Sequence, residues 1–298
     1  MSTAKDGCFV CGGTEFDKHT DEYRRCTGCG HEILVQTQAQ GFILNDPLTE
    51  KDARRVTALD RFKTRVLRRF DSSSGKGQLL DIGSASGKFL FLNASRYQRA
   101  FGIEITPEAL AFSRNILHLD IKEDIQEVPS RTTMATAWHS LEHIPEQALM
   151  EILSVLSRNM VDGGRLIVSV PNGDSRQYRW FGKAYAYFDV PNHLHQFTVV
   201  SLEKLLGRFG FRPVEMINSL PYNTFGYTQG LLNIITNTHN YLYYRLKRRS
   251  RKPSLWLDIL HVLLLPALVP AGWILGFVDS INLKYQGVIT VCFEKKTS

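Results

Sequence analysis

From residue 78 onward the chain alternates short apolar runs with segments of helical period. The runs 78–83 (QLLDIG), 100–105 (AFGIEI), 132–138 (TTMATAW) and 165–170 (RLIVSV) have the length of buried strands. A weaker strand pattern falls at 119–122, another near 212–217, and a last one at 287–295 (GVITVCFEK). Between them, 88–96, 107–117, 145–160 and 201–210 space apolar residues three and four apart, as a helix with one buried face requires. The DGG at 162–164 predicts a turn. Strands alternating with helices predict an α/β fold, with seven strands in a mostly parallel sheet and helices on both faces. Upstream, 48–70 predicts a helix with Val56, Leu59, Phe62, Val66 and Phe70 on one side, followed by a loop at 72–77.

Two stretches break the pattern. Residues 7–33 are rich in glycine and cysteine and too few to bury a core. Residues 223–284 are far more than a crossover between two strands needs. Their segment 259–278 (ILHVLLLPALVPAGWILGFV) has the length of a bilayer span and no charge, and it follows the basic run 245–252 (RLKRRSRK). A strand comes afterwards and must join the same sheet, so a single span is not expected. The expected form is a broken helix or hairpin bent at Pro266 and Pro270. Such an insertion either dips into one leaflet, with the basic run at anionic headgroups, or packs on the domain or in a dimer interface.

Composition changes this picture little. The apolar share is 43%, enough for a sizeable core, and the net charge is +7, much of it in that basic run. The first residues, MSTAKDGC, lack the charged and apolar regions of a secretory signal, which predicts a cytoplasmic protein. In that compartment Cys8-x2-Cys11 and Cys26-x2-Cys29 predict metal rather than disulfides. Four thiolates from two such turns suit a closed tetrahedral site for a structural Zn²⁺, with His19 and His31 surplus to the ligand count. The expected organisation is a zinc ribbon at 1–35 and a catalytic domain at 45–298 carrying the helical insertion 223–284.

The strand at 78–83 runs into a glycine loop, DIGSASG, with an acidic residue, Glu104, ending the next strand. Glycine lets backbone approach a ligand closely, and a carboxylate at Glu104 can take both hydroxyls of a ribose. A dinucleotide site would want G-x-G-x-x-G, which this loop does not match. It resembles instead the D-x-G-x-x-x-G motif of class I S-adenosylmethionine-dependent methyltransferases, with Ala85 in place of the common middle glycine. EDIQEVP (123–129), WHSLEHI (138–144) and DGGRLIVSVPN (162–172) resemble further motifs of that family in the same order. The resemblance implies a Rossmann-like sheet. It also implies a cofactor site at Asp81, Gly83, Ser84, Ala85, Gly87, Glu104, Asp124, Ile125 and His139, with Asp124 at the adenine amino group.

Candidate chemistry clusters in two places. His139, Glu142 and His143 resemble the E-x-x-E-H of quinone-pathway O-methyltransferases, where those positions hold a divalent cation. Here His139 replaces the first glutamate and is a candidate base, and Glu142 and His143 either hold a cation or only pack and cap. His193 and His195 sit in a segment (PNHLHQFT) that resembles the border of the acceptor pocket in the same branch; capping and packing is its other reading. The aromatic run 180–189 either walls that pocket or belongs to the core. The leading expectation is O-methylation of a hydrophobic or lipid-linked small molecule or glycan at the cytoplasmic membrane face. An rRNA or tRNA methyltransferase and a non-catalytic cofactor-binding protein are the alternatives. Against nucleic acid, the basic residues adjoin an apolar run rather than interleaving with aromatics along a groove.

Overall fold

A computed structural model describes residues 7–35, 49–71, 73, 76–246 and 254–297. Most of the basic run, 247–252, and residues 72, 74 and 75 of the predicted loop lie outside them.

Three short strands come first: β1 (Phe16–Lys18), β2 (Tyr23–Cys26) and β3 (Glu32–Leu34). The helix expected at 48–70 is two helices, α1 (Glu50–Arg54) and α2 (Ala58–Phe70). Thr57 explains the break, because its side chain accepts from Asp60 N while Asp60 Oδ2 accepts from Thr57 N, and this capping box starts a new helix. Val56, outside α2, is exposed rather than in the core. Then follow β4 (Gln78–Ile82), α3 (Lys88–Asn93), β5 (Arg99–Ile103), α4 (Pro107–Asn115), β6 (Asp120–Lys122), β7 (Thr132–Trp138), α5 (Glu146–Asn159) and β8 (Met160–Pro171). The turn expected at 162–164 is absorbed into β8 as an irregularity, with Gly163 at φ +73° and a register shift opposite Thr132 and Met134. The chain continues through α6 (Arg176–Phe181), β9 (His195–Gln196), α7 (Val199–Gly207), β10 (Phe211–Met216), α8 (Leu220–Thr236), α9 (Tyr241–Leu246), α10 (Leu255–Asp279) and β11 (Val288–Lys295).

The main sheet has seven strands in the order β10-β11-β8-β7-β4-β5-β6, and β11 runs antiparallel between β8 and β10. Side chains of successive residues point to opposite faces, and each face has its own core. Leu80, Ala135, Leu166, Val168, Val291 and Phe293 pack with Leu149, Leu153, Leu202 and Leu205 of α5 and α7. Their neighbours Leu79, Met134, Ile167 and Cys292 pack with Phe62, Leu67, Phe89, Leu90 and Leu110 of α2, α3 and α4. Each fully buried Leu, Phe or Ile contributes about 1.5–3 kcal/mol of transfer free energy.

The insertion differs from the expected bent hairpin. Its apolar segment is one helix, α10, with Pro266 and Pro270 inside it. The hairpin is formed by α8 and α10, which pack antiparallel. Gly272 and Gly276 permit the close approach, since a Cβ on Gly272 would lie 2.3 Å from Thr228 Oγ1 and one on Gly276 3.2 Å from Thr224 N. Ion pairs hold both ends of α10, Asp258 to Arg245 of α9 within the insertion at 2.9 Å and Asp279 to Arg176 of α6 in the domain at 2.7 Å. A proline inside a helix costs about 3 kcal/mol, and these anchors together with the α8 contact hold the helix through both. Its other side is exposed and apolar, including Leu255, Trp256, Val262, Leu263, Trp273, Ile274 and Phe277.

Candidate active site

The order of strands reverses between β4 and β7, and the crevice at their carboxyl ends is where ligands of such sheets bind. The loop after β4 lies across the end of β5, with Gly83 N and Ser84 N both donating to Ile103 O at 2.9 Å. Gly83 has φ +69°, and a Cβ there would lie 2.4 Å from Ser140 Cβ. Ala85 also adopts a left-handed conformation, φ +49°, which costs an L-residue about 1–2 kcal/mol and shows why glycine suits this place. The strain leaves Ala85 N aimed at Glu104, whose Oε2 accepts it at 2.8 Å. Glu104 Oε1 accepts from Ile105 N and Thr106 N, also at 2.8 Å, so the carboxylate is fixed at the end of β5. Ser84 Oγ is buried and has no partner among the described residues.

Asp81 is buried under this loop and accepts from Thr136 Oγ1 at 2.6 Å. Burial pushes its carboxyl up to about 7 against that hydrogen bond. Asp124, exposed, follows β6 and accepts from Gln126 N, with Ile125 buried beside it. Gly87 is the N-cap of α3. The predicted cofactor residues therefore gather at the ends of the adjacent strands β4, β5 and β6, with His139 after β7 on the other side of β4.

His139 has φ +53° and its ring lies on Tyr222, 4.8 Å between centroids, and parallel to Tyr187 at 5.7 Å. Its Nδ1 is 3.4 Å from Glu142 Oε1, and its Nε2 is buried and has no partner among the described residues. Glu142 is fully buried, and neither oxygen accepts a hydrogen bond from the described residues. Burial raises its pKa, but His139, His143 and His193 around it outweigh that and hold it down to about 2. Glu142, His143 and His193 bring one donor atom each within 4.8 Å of one another. His143 Nδ1 donates to Asn192 O at 2.9 Å, and burial depresses His193 to about 4, so its ring is neutral at pH 7.

His195 stands apart from this cluster. Its Nε2 donates to Ile144 O at 3.0 Å, and its ring packs among Phe9, His31 and Phe197. Of the aromatic run, Tyr187 reaches His139, whereas Tyr185 and Phe188 form a core cluster with Tyr23 and Tyr178, and Trp180 is exposed. Tyr222 was not distinguished by any periodicity; its place just after the Pro that opens α8 is the only signal it carries.

At the N-terminus the four cysteines converge. Cys8 and Cys29 Sγ are 3.7 Å apart, Cys11 and Cys26 Sγ 3.6 Å, and all four lie within 4.8 Å of one another. A tetrahedron with Zn–S of about 2.3 Å has edges of about 3.8 Å, so the set fits a four-thiolate site. The surplus His31 is buried at the seam with the domain, and His19 lies 3.4 Å from the buried Glu32.

Residues 52–216 match the family described as methyltransferase domain. Among solved structures, the chain is similar to geranyl diphosphate C-methyltransferase from Streptomyces coelicolor A3(2). Identity is 13%, the match covers 85% of this chain and 83% of that one, and the TM-score is 0.51. The cyclopropane synthase MmaA2 from Mycobacterium tuberculosis is similar at 12% identity, covering 79% and 84%, with a TM-score of 0.51. The [4+2]-cyclase SpnF is similar at 18% identity, covering 84% and 86%, with a TM-score of 0.50. No curated protein matches the chain in sequence. The solved structures share the fold, and the family match spans more than half of the sequence, from α1 to the end of β10: the chain belongs to the class I methyltransferase family.

Proposed function

We propose that the protein O-methylates a hydrophobic or lipid-linked acceptor, a small molecule or glycan, at the cytoplasmic face of a membrane. The observation that carries this reading is the His139–Glu142 pair: a buried carboxylate facing one nitrogen of an imidazole whose other nitrogen has no partner. Oxygen nucleophiles need a base, and a carboxylate behind an imidazole both orients the ring and stabilises its protonated form.

S-adenosylmethionine supplies an electrophilic methyl group when bound. Glu104 would take its ribose hydroxyls, Asp124 and Ile125 its adenine, and the Gly83–Ala85 backbone with Asp81 its amino-acid end; Ser84 Oγ, without a partner among the described residues, fits such a ligand. His139 Nε2 takes the proton of the acceptor hydroxyl, and Glu142 holds the resulting imidazolium. Tyr187 and Tyr222 fix the plane of the ring. A second reading rests on the convergence of Glu142, His143 and His193, which would hold a divalent cation that lowers the pKa of the acceptor. Cys8, Cys11, Cys26 and Cys29 would hold a structural zinc remote from the chemistry.

The acceptor class follows from what surrounds the site. Tyr222 and Phe225 of α8 lie on its rim, Phe225 packing on Tyr187 at 6.0 Å, and the opposite side of α8 carries α10 with its exposed apolar face. Only 17% of the most apolar window of α10 is buried, so the surface it leaves is of the kind that lies in a headgroup region. Labelled cofactor added to a cell extract with the purified enzyme is expected to put its methyl group into material extracted with organic solvent. Label confined to RNA, or no label in any fraction, overturns this reading.

A further inference from the structure

We infer that the cysteine ribbon is a positioning element of the catalytic domain, and that Tyr23 holds the loop carrying His193 in place beside Glu142. This rests on the reading above only in taking His193 as part of the acceptor site.

The strand β9 is two residues long and lies in the ribbon's sheet, of order β1-β2-β3-β9, not in the domain's own. Among the described residues its only strand partner is β3, with Glu32 opposite Gln196 and Ile33 opposite His195; beyond it a bridge joins Phe197 to Asn172. Just before β9, the fully buried Tyr23 donates its hydroxyl to His193 O at 2.7 Å, and Leu34 N donates to Leu194 O at 3.1 Å. From the other side, Leu194 N donates to Glu142 O at 2.8 Å, and His195 Nε2 to Ile144 O at 3.0 Å. Residues 193–195 are thus suspended between the ribbon and the turn carrying Glu142 and His143.

The second cysteine knuckle is joined to the same segment. Thr198, the N-cap of α7, donates its hydroxyl to Cys29 O at 3.0 Å, and Lys204 Nζ donates to Gly28 O at 2.9 Å. Arg208 of the same segment bonds Phe9 O in the first knuckle. Arg25 couples the buried Glu32 at 2.9 Å to Asp174 at 2.5 Å. Ordering a loop residue costs about 1–2 kcal/mol of backbone entropy, and a two-residue strand cannot meet that cost for 192–196 without β3 and Tyr23. The geometry of the metal site sets the position of β3, and through it the position of His193.

The test uses the full chain and needs neither acceptor nor activity. Tyr23→Phe keeps the ring and its packing and removes only the hydroxyl. With zinc content and S-adenosylmethionine affinity unchanged, amide exchange at Leu194 and Gln196 is expected to rise about tenfold, the scale of one lost hydrogen bond. The imidazole carbon and nitrogen signals of His193 are expected to shift in the same variant. Removing metal from the native protein with a chelator is the second arm. Exchange should rise in 193–196 and 141–144 together with the ribbon, while the cofactor loop 79–90 stays protected. Changes confined to residues 7–34 in both arms, with an unshifted His193 signal, overturn the proposal and leave the methyl-transfer reading intact. Conversely, a coupled response in a protein that labels no acceptor would retain the positioning role and remove only the function.

Discussion

Glu142→Gln is expected to slow methyl transfer by about 10²–10⁴-fold, the range of a general-base contribution, and to leave S-adenosylmethionine affinity unchanged. The substitution keeps the shape of the side chain and removes its charge. Because the surrounding imidazoles hold this carboxyl down to about 2, it is ionised throughout the pH range of any practical assay, so the comparison is between one charge and none. Without that charge the protonated His139 loses its counter-ion. None of the residues at the glycine loop touches Glu142 through a hydrogen bond, which is why binding of the cofactor should survive. Calorimetric titration of the variant with the cofactor, beside its rate of label transfer, separates the two effects. A variant that transfers at the native rate would show that Glu142 only packs under the turn 141–143.

Metal removal should have the second large effect. The ribbon residues Cys8, Val10, Cys26 and Cys29 belong to the same buried cluster as Leu202, Leu205 and Phe197 of the domain. Structural zinc sites of this kind contribute about 10–16 kcal/mol to the folding of the module that holds them. The chain as isolated is expected to contain one zinc, and Cys29→Ser or chelation to unfold the ribbon and lower the melting temperature of the whole chain by several degrees. Cys292, buried in β11, is outside the site and its replacement by alanine should not change the metal content. Metal analysis and thermal unfolding check both statements, and an unchanged melting temperature after complete metal removal contradicts them.

The central sheet was legible because buried parallel strands write a plain pattern. The expected strand at 132–138 is β7 to the residue, and the helices between strands start where Pro107 and the Thr198–Ser201 capping box start them. The glycine loop and Glu104 were equally legible, since a left-handed turn and a carboxylate at the end of the next strand leave local marks. The pairing of β3 with β9 was not, because two residues carry no period and their partners lie about 160 positions away in the chain. For the same reason Tyr23 and Tyr222 looked like ordinary aromatics. The H-x-H pair of 193 and 195 reads as one unit in sequence, yet His193 precedes β9 while His195 lies in it, and one ring goes to Glu142 and the other into the ribbon seam. The prolines of α10 misled in the opposite direction. Their cost was visible in the sequence, whereas the opposing anchors at Asp258 and Asp279 appear only in three dimensions.

The proposal that this enzyme meets its acceptor at a bilayer is tested most directly by flotation with phosphatidylglycerol-containing vesicles. The protein is predicted to float with the vesicles. A variant carrying Trp256→Glu, Leu263→Glu and Trp273→Glu, three exposed positions of α10, is predicted to stay at the bottom of the gradient while keeping its cofactor affinity. Native protein that remains at the bottom, or elutes as a dimer whose contact covers α10, would contradict it.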